Sequence, residues 1–159
     1  MKEHMNENTK KLILVTGGFD PLHSGHIALI AAARQLDPSN GIVVGVNSDN
    51  WLIRKKGKFF LPYTERQCLV GAMRDVRKAF AFNDDDGSAK DAILIMLDTY
   101  PDHQIIFCNG GDRTATNIPE MDIVDDRLSF AFGIGGDNKI NSSSWILNTW
   151  LGEANDINI

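Results

Sequence analysis

Five short β-rich apolar runs, at residues 12–15, 42–46, 76–82, 105–108 and 128–132, recur along this 159-residue chain with helical patterns between them. The second, Ile-Val-Val-Gly-Val, is apolar on both faces, which suits a parallel sheet covered on both sides. A repeated strand–helix order joins its strands by right-handed crossovers. The pattern predicts an α/β, Rossmann-like, doubly wound fold with about five parallel strands and helices on both faces.

The intervening segments fill in the helices. Residues 27–36 are apolar almost all round and predict a buried helix, stopped by Asp37-Pro38. Thr64-Glu-Arg-Gln67 matches a capping box and predicts a helix start. Asp84-Asp85-Asp86-Gly87 predicts a turn. Ala89, Ala92, Ile93, Met96 and Leu97 then form one helical stripe, and Pro101 follows its end. Ser142, Ser143 and Ser144 offer N-caps for a last helix running to about Trp150. No repeat or linker divides the chain. It reads as one domain over residues 11–159 behind a polar stretch, residues 1–10, expected to fray.

Composition narrows the partners. The net charge of −5 argues against a non-specific nucleic-acid binder, although a local basic site can still hold phosphate. The N-terminal stretch has no apolar core like that of a signal peptide, and no run approaches the roughly 18 apolar residues of a membrane span. Cys68 and Cys108 are far apart and read as small buried hydrophobes in a reducing, cytoplasmic setting. A structural zinc site needs four clustered ligands, which the sequence does not offer.

In a sheet of this kind ligands sit beyond the carboxyl ends of the strands. Three loops fall there: GGFDPLHSGH after the first strand, NGGDR after the fourth, and GIGGDNKINSSS after the fifth. Glycine-rich loops feeding helix N-termini favour phosphate. Neither GxxxxGK[ST] nor GxGxxG followed by a helix occurs. In the first loop His23 and His26, at i and i+3, lie near one face of a first helical turn. Gly25 between them leaves space for a phosphate at the backbone, and imidazole N–H groups there can stabilise growing transition-state charge. Asp20 is an acceptor suited to a magnesium ion or to orienting a ligand.

These features resemble the HxGH nucleotidyltransferase superfamily: GxFDxxHxGH, a basic segment after the second strand, and a serine-rich turn opening a late helix. The chain is most similar to the small cytidylyltransferases of the glycerol-3-phosphate cytidylyltransferase type. It also resembles the nucleotidyltransferase domain that acts on glycero-manno-heptose phosphate. The likeness runs over residues 12–150. It implies that a nucleoside triphosphate, CTP first, reacts with a small phosphomonoester in line at the α-phosphorus. Pyrophosphate leaves, magnesium (Mg2+) rides on the triphosphate, and no covalent enzyme intermediate forms.

Carried onto this sequence, the resemblance implies that His23 and His26 contact the triphosphate. Gly17, Gly18 and Phe19 form the turn facing the nucleotide, with Phe19 also readable as core. Asp20 is the motif aspartate, with a purely turn-forming role as the alternative. In the cluster Arg54, Lys55, Lys56 and Lys58, one lysine reaches a phosphate; Lys55 and Lys58 are the candidates, and the sequence does not choose. Arg66 is placed near the nucleotide or else on a helix surface. Gly110 and Asp112 line the base and ribose pocket. Ser142, Ser143 and Ser144 receive the β- and γ-phosphates. Asn141 stands where the family usually has isoleucine, and no cation follows the serines, which leaves Lys139 as the nearest candidate. Trp145 and Trp150 read as packing residues, and a homodimer is the expected assembly. Two rivals remain: an ATP-using adenylyltransferase of the nicotinate-mononucleotide, phosphopantetheine or heptose-phosphate type, and a catalytically silent nucleotide-binding module.

Overall fold

Apolar side chains alternate along the strands between two separate cores. Leu12, Leu14 and Phe107 point into one; Ile13, Val15 and Cys108 point into the other. That period of two, with both faces buried, requires a layer of helix on each side of the sheet. The computed structural model, which describes residues 10–111, 113–136 and 141–152, has this arrangement. Strands β1 (Lys10–Gly17), β2 (Ile42–Val46), β3 (Val76–Ala81), β4 (His103–Gly110) and β5 (Leu128–Ile134) form one sheet in the order β3-β2-β1-β4-β5. Every neighbouring pair is parallel. Helices α1 (Ser24–Arg34) and α3 (Tyr63–Gly71) bury Ile30, Ala33 and Val70 in one core. Helix α4 (Lys90–Thr99) buries Ala92, Ile93 and Met96 in the other. Helices α2 (Asp49–Lys56) and α5 (Ser143–Trp150) follow β2 and β5 at the carboxyl edge.

The strand order turns back between β1 and β4, so the loops after those two strands splay apart there and leave a crevice. Several local expectations are corrected. Helix α1 is not buried all round: only Ile30 and Ala33 are buried, and Ile27 is 53% exposed, because the helix meets the sheet along one face. The capping box at Thr64 does not form. Helix α3 starts one residue earlier, at Tyr63, with Pro62 in the cap position, and proline's fixed φ already favours the first turn. Cys68 is exposed rather than buried, while Cys108 is buried and its thiol is pushed up to about 12 by desolvation. Lys10 already belongs to β1, and residues 1–9 of the expected tail lie outside the described residues. Among the described residues no helix is long and apolar enough to cross a membrane.

Candidate active site

A cleft of about 720 Å3 opens at the carboxyl edge over β1 and β4. Its lining includes Gly17, Gly18, His23, Gly25, His26, Lys55, Gly110 and Ser142, drawn from loops that are far apart in sequence. The two histidines are locked to each other and to the start of α1. His23 is the N-cap residue, and its Nδ1 accepts the Gly25 N–H at 3.0 Å. His26 Nδ1 accepts the His23 N–H at 3.2 Å, closing a capping box built from two imidazoles. The rings stack with centroids 3.8 Å apart, and Phe19 packs its edge on His26 at 5.0 Å. An imidazole that accepts at Nδ1 carries its proton on Nε2. The cap therefore leaves each ring with an Nε2–H donor. Burial, then the neighbouring His23 and Lys56, lower the His26 pKa to about 4, so this ring is neutral near pH 7.

The Gly25 N–H is given to His23. Glycine is required because a Cβ would lie 2.8 Å from His23 Cε1. Gly17 and Gly18 likewise make room for protein: a Cβ would meet the Phe19 ring at 3.1 Å and Leu52 Cδ2 at 3.0 Å, respectively. Phe19 itself is a core residue, 3% exposed, held at φ +52°, a conformation unusual for a residue with a side chain.

Asp20 and Arg66 hold the frame of the cleft. Both oxygens of the buried Asp20 carboxylate accept backbone N–H groups, from Phe60 and Leu61, each at 2.7 Å. That engagement gives Asp20 the turn-holding role that was the alternative reading of the motif aspartate. Arg66 is fully buried rather than on a helix surface. It donates to the carbonyls of Leu61, Gly18 and Asn47 and to Asp49 Oδ1 at 2.7 Å. One guanidinium thus ties the loops after β1 and β2 to the start of α2.

The basic cluster lies mostly on α2, a helix that the sequence reading passed over. Ser48 caps it by accepting the Trp51 N–H, and Gly57 ends it at φ +84°. Buried Asp84, read from sequence only as part of a turn, fixes the cap by accepting from the Ser48 N–H, the Ser48 hydroxyl and Asn47 Nδ2. Trp51 and Lys55, one turn apart, both line the cleft, with Lys55 Nζ 4.5 Å from the Trp51 ring centroid. Lys58 lies beyond the helix and does not line the cleft.

At the other rim, Ser142 occupies the N-cap position of α5, yet its side chain makes no capping bond. Ser143 Oγ instead donates to the Pro21 carbonyl at 2.9 Å, fastening α5 to the first loop. Ser144 is exposed and outside the cleft lining. A Cβ on Gly110 would meet Leu29 Cδ1 at 3.0 Å, so α1 packs close against β4 there. Asp112 and Lys139 lie outside the described residues. Asn109, which opens the NGGDR loop read from sequence as lining the base and ribose pocket, lines the cleft, as do Trp51 and Glu120, to which the sequence assigns no role.

A family model described as "Cytidylyltransferase-like" matches residues 14–138. Among curated proteins, the bifunctional protein HldE of Pectobacterium carotovorum is 29% identical over 130 residues, covering 74% of this chain and 27% of its own length. HldE of Enterobacter sp. is 30% identical over 123 residues, covering 70% and 25%. The chain thus spans about a quarter of the length of these relatives. Among solved structures, a lipopolysaccharide core biosynthesis protein from Thermoplasma volcanium aligns with TM-score 0.55 and 22% identity, over 82% of this chain and 98% of the other. A candidate nicotinate-nucleotide adenylyltransferase from Vibrio parahaemolyticus aligns with TM-score 0.59 and 15% identity, over 92% and 90%. At those identities the likeness concerns the fold.

Proposed function

The chain belongs to the cytidylyltransferase-like family of nucleotidyltransferases, and on that footing we propose that it joins a nucleoside monophosphate unit to a small phosphomonoester. An oxygen of the acceptor phosphate attacks the α-phosphorus of the triphosphate. The bond to the bridging oxygen breaks and pyrophosphate leaves. A phosphomonoester is largely dianionic near pH 7, so the nucleophile needs no general base. Catalysis then reduces to placing two anions together and holding the charge that builds on the transferring group.

The observation that carries this reading is the imidazole capping box, which supports two Nε2–H donors at the mouth of the cleft. Neutral donors tolerate close stacking where two imidazolium ions would repel, and they still stabilise phosphate oxygens. Lys55 supplies the positive charge from the α2 side. The α5 N-terminus, where Ser142 makes no capping bond of its own, takes the β- and γ-phosphates, since free N–H groups and the helix dipole favour an anion. Magnesium bound with the triphosphate would supply counter-charge to its phosphates.

CTP is the proposed donor on the family resemblance. ATP with a sugar phosphate is the second reading, since the chain also resembles the heptose-phosphate branch, which is of the adenylyl type. Pyrophosphate release with magnesium, screening CTP, ATP, GTP and UTP against glycerol 3-phosphate and a panel of sugar phosphates, separates them. Release only with CTP supports the first reading and release only with ATP the second. A folded protein that binds nucleotide yet releases none with any pair is a silent binding module.

A further inference from the structure

Strand alternation gives the cleft two chemically different walls. On β1 and β4, Gly17, Cys108 and Gly110 fall on the α1 face, with the histidines. The intervening residues continue the opposite core: Thr16 follows Leu12 and Leu14, and Asn109 follows Ile105 and Phe107. The Cβ position of Gly45 on β2 is 3.1 Å from Thr16 Cγ2 and 3.1 Å from Phe82 of that core, which fixes the face. Ser88 joins this wall just before α4 and Glu120 from the 3-10 turn Pro119–Asp122, and all four residues line the cleft. The α1 wall is glycine and imidazole; the α4 wall is hydroxyl, carboxamide and carboxylate.

Two atoms on the α4 wall are unspent. Glu120 is 8% exposed, and its Oε1 caps α4 by accepting the Ala89 N–H at 2.8 Å. Among the described residues nothing donates to its Oε2, and no cation pairs with it. Asn109 Nδ2 is buried without a hydrogen-bond partner. A buried donor left unpaired is destabilising, and a ligand oxygen that pairs it recovers that cost. A carboxylate in a cleft built for phosphates would repel them, so its free oxygen suits an O–H donor.

We propose that Glu120 and Asn109 form a hydroxyl-reading subsite on the α4 wall of the cleft. Glu120 Oε2 accepts from a ligand hydroxyl, and Asn109 Nδ2 donates to a ligand oxygen. The ligand is therefore a polyol on that side, either the ribose of the nucleotide or the carbon chain of the acceptor. This rests on the nucleotidyl-transfer reading and adds to it a specificity-determining pair.

Glu120→Gln is the sharp test, because the carboxamide oxygen keeps the α4 cap while the second oxygen becomes a donor. Wild type and variant are titrated with inorganic tripolyphosphate and with CTP, ATP and their 2′- and 3′-deoxy forms. The KM for glycerol 3-phosphate is measured with the active nucleotide. The subsite requires tripolyphosphate affinity unchanged and one hydroxyl-bearing ligand weakened by about tenfold or more. Loss of discrimination between ribo and deoxy forms assigns the subsite to ribose. A raised KM for the acceptor, with nucleotide affinity kept, assigns it to the acceptor. Should Glu120→Gln fail to fold, Asn109→Ala carries the same readouts. A folded variant within twofold of wild type in all of them overturns the subsite alone. A wild type that does not bind tripolyphosphate overturns the transfer reading and the subsite with it.

Discussion

His23 and His26 each use Nδ1 to build a helix terminus, which puts the ring proton on Nε2. Structure and chemistry can therefore be separated by choice of variant. His23→Asn keeps a good N-cap residue but removes the Nε2–H donor. Turnover is expected to fall on the order of 10²-fold or more, with the melting temperature nearly kept. His23→Ala loses both, with about 1 kcal/mol of stability lost as well. Steady-state pyrophosphate release beside thermal melts checks this. His26 also carries a pH signature. Its folded pKa is about 4 against an ordinary 6.5, so the unfolded chain takes up the proton first. Its contribution is intact above pH 6.5 and is lost as pH falls from there through 4. Thermal melts across that range are expected to drop, and an NMR titration of the imidazole is expected to show a midpoint near 4. The pairing of these rings was legible from their spacing. The reason for glycine at position 25 was not, because only the folded turn places the His23 ring 2.8 Å from where a Cβ would stand.

At the scale of elements, α2 and α3 show where sequence reasoning stopped. The basic run reads from sequence only as a segment after the second strand, because its charged residues hide a helix whose buried contact is Leu52. Once formed, that helix chooses between two lysines that sequence alone could not separate. Lys55→Ala is expected to lower kcat/KM by about tenfold or more, while Lys58→Ala stays near wild type. Arg66 was legible as part of a motif but not as a brace, since three of its four acceptors lie on the loops after β1 and β2 and at the start of α2. Arg66→Met leaves buried carbonyls and Asp49 without their donor. It is expected to cost about 3 kcal/mol in urea denaturation. A guanidinium that merely touched nucleotide would instead change KM with stability kept.

Across the whole molecule, five β-rich runs in alternation with helices were enough to anticipate the parallel sheet, because strands buried on both faces admit few other arrangements. The same topology explains why the cleft lies between β1 and β4 and why its walls differ: a period of two sends glycines to one face and polar groups to the other. Glu120 escaped the sequence reading because it follows no motif and enters the cleft only by capping α4 from a distant segment. The central claim is that this cleft transfers a nucleotidyl group to a phosphomonoester through its paired imidazoles. The most direct measurement is acceptor-dependent pyrophosphate release by wild type and by His23→Asn under identical conditions with magnesium. The expected result is release that requires both substrates and falls about 100-fold or more in a variant with an unchanged fold. Equal turnover in the two proteins, or none in a folded wild type that binds the triphosphate, would contradict it.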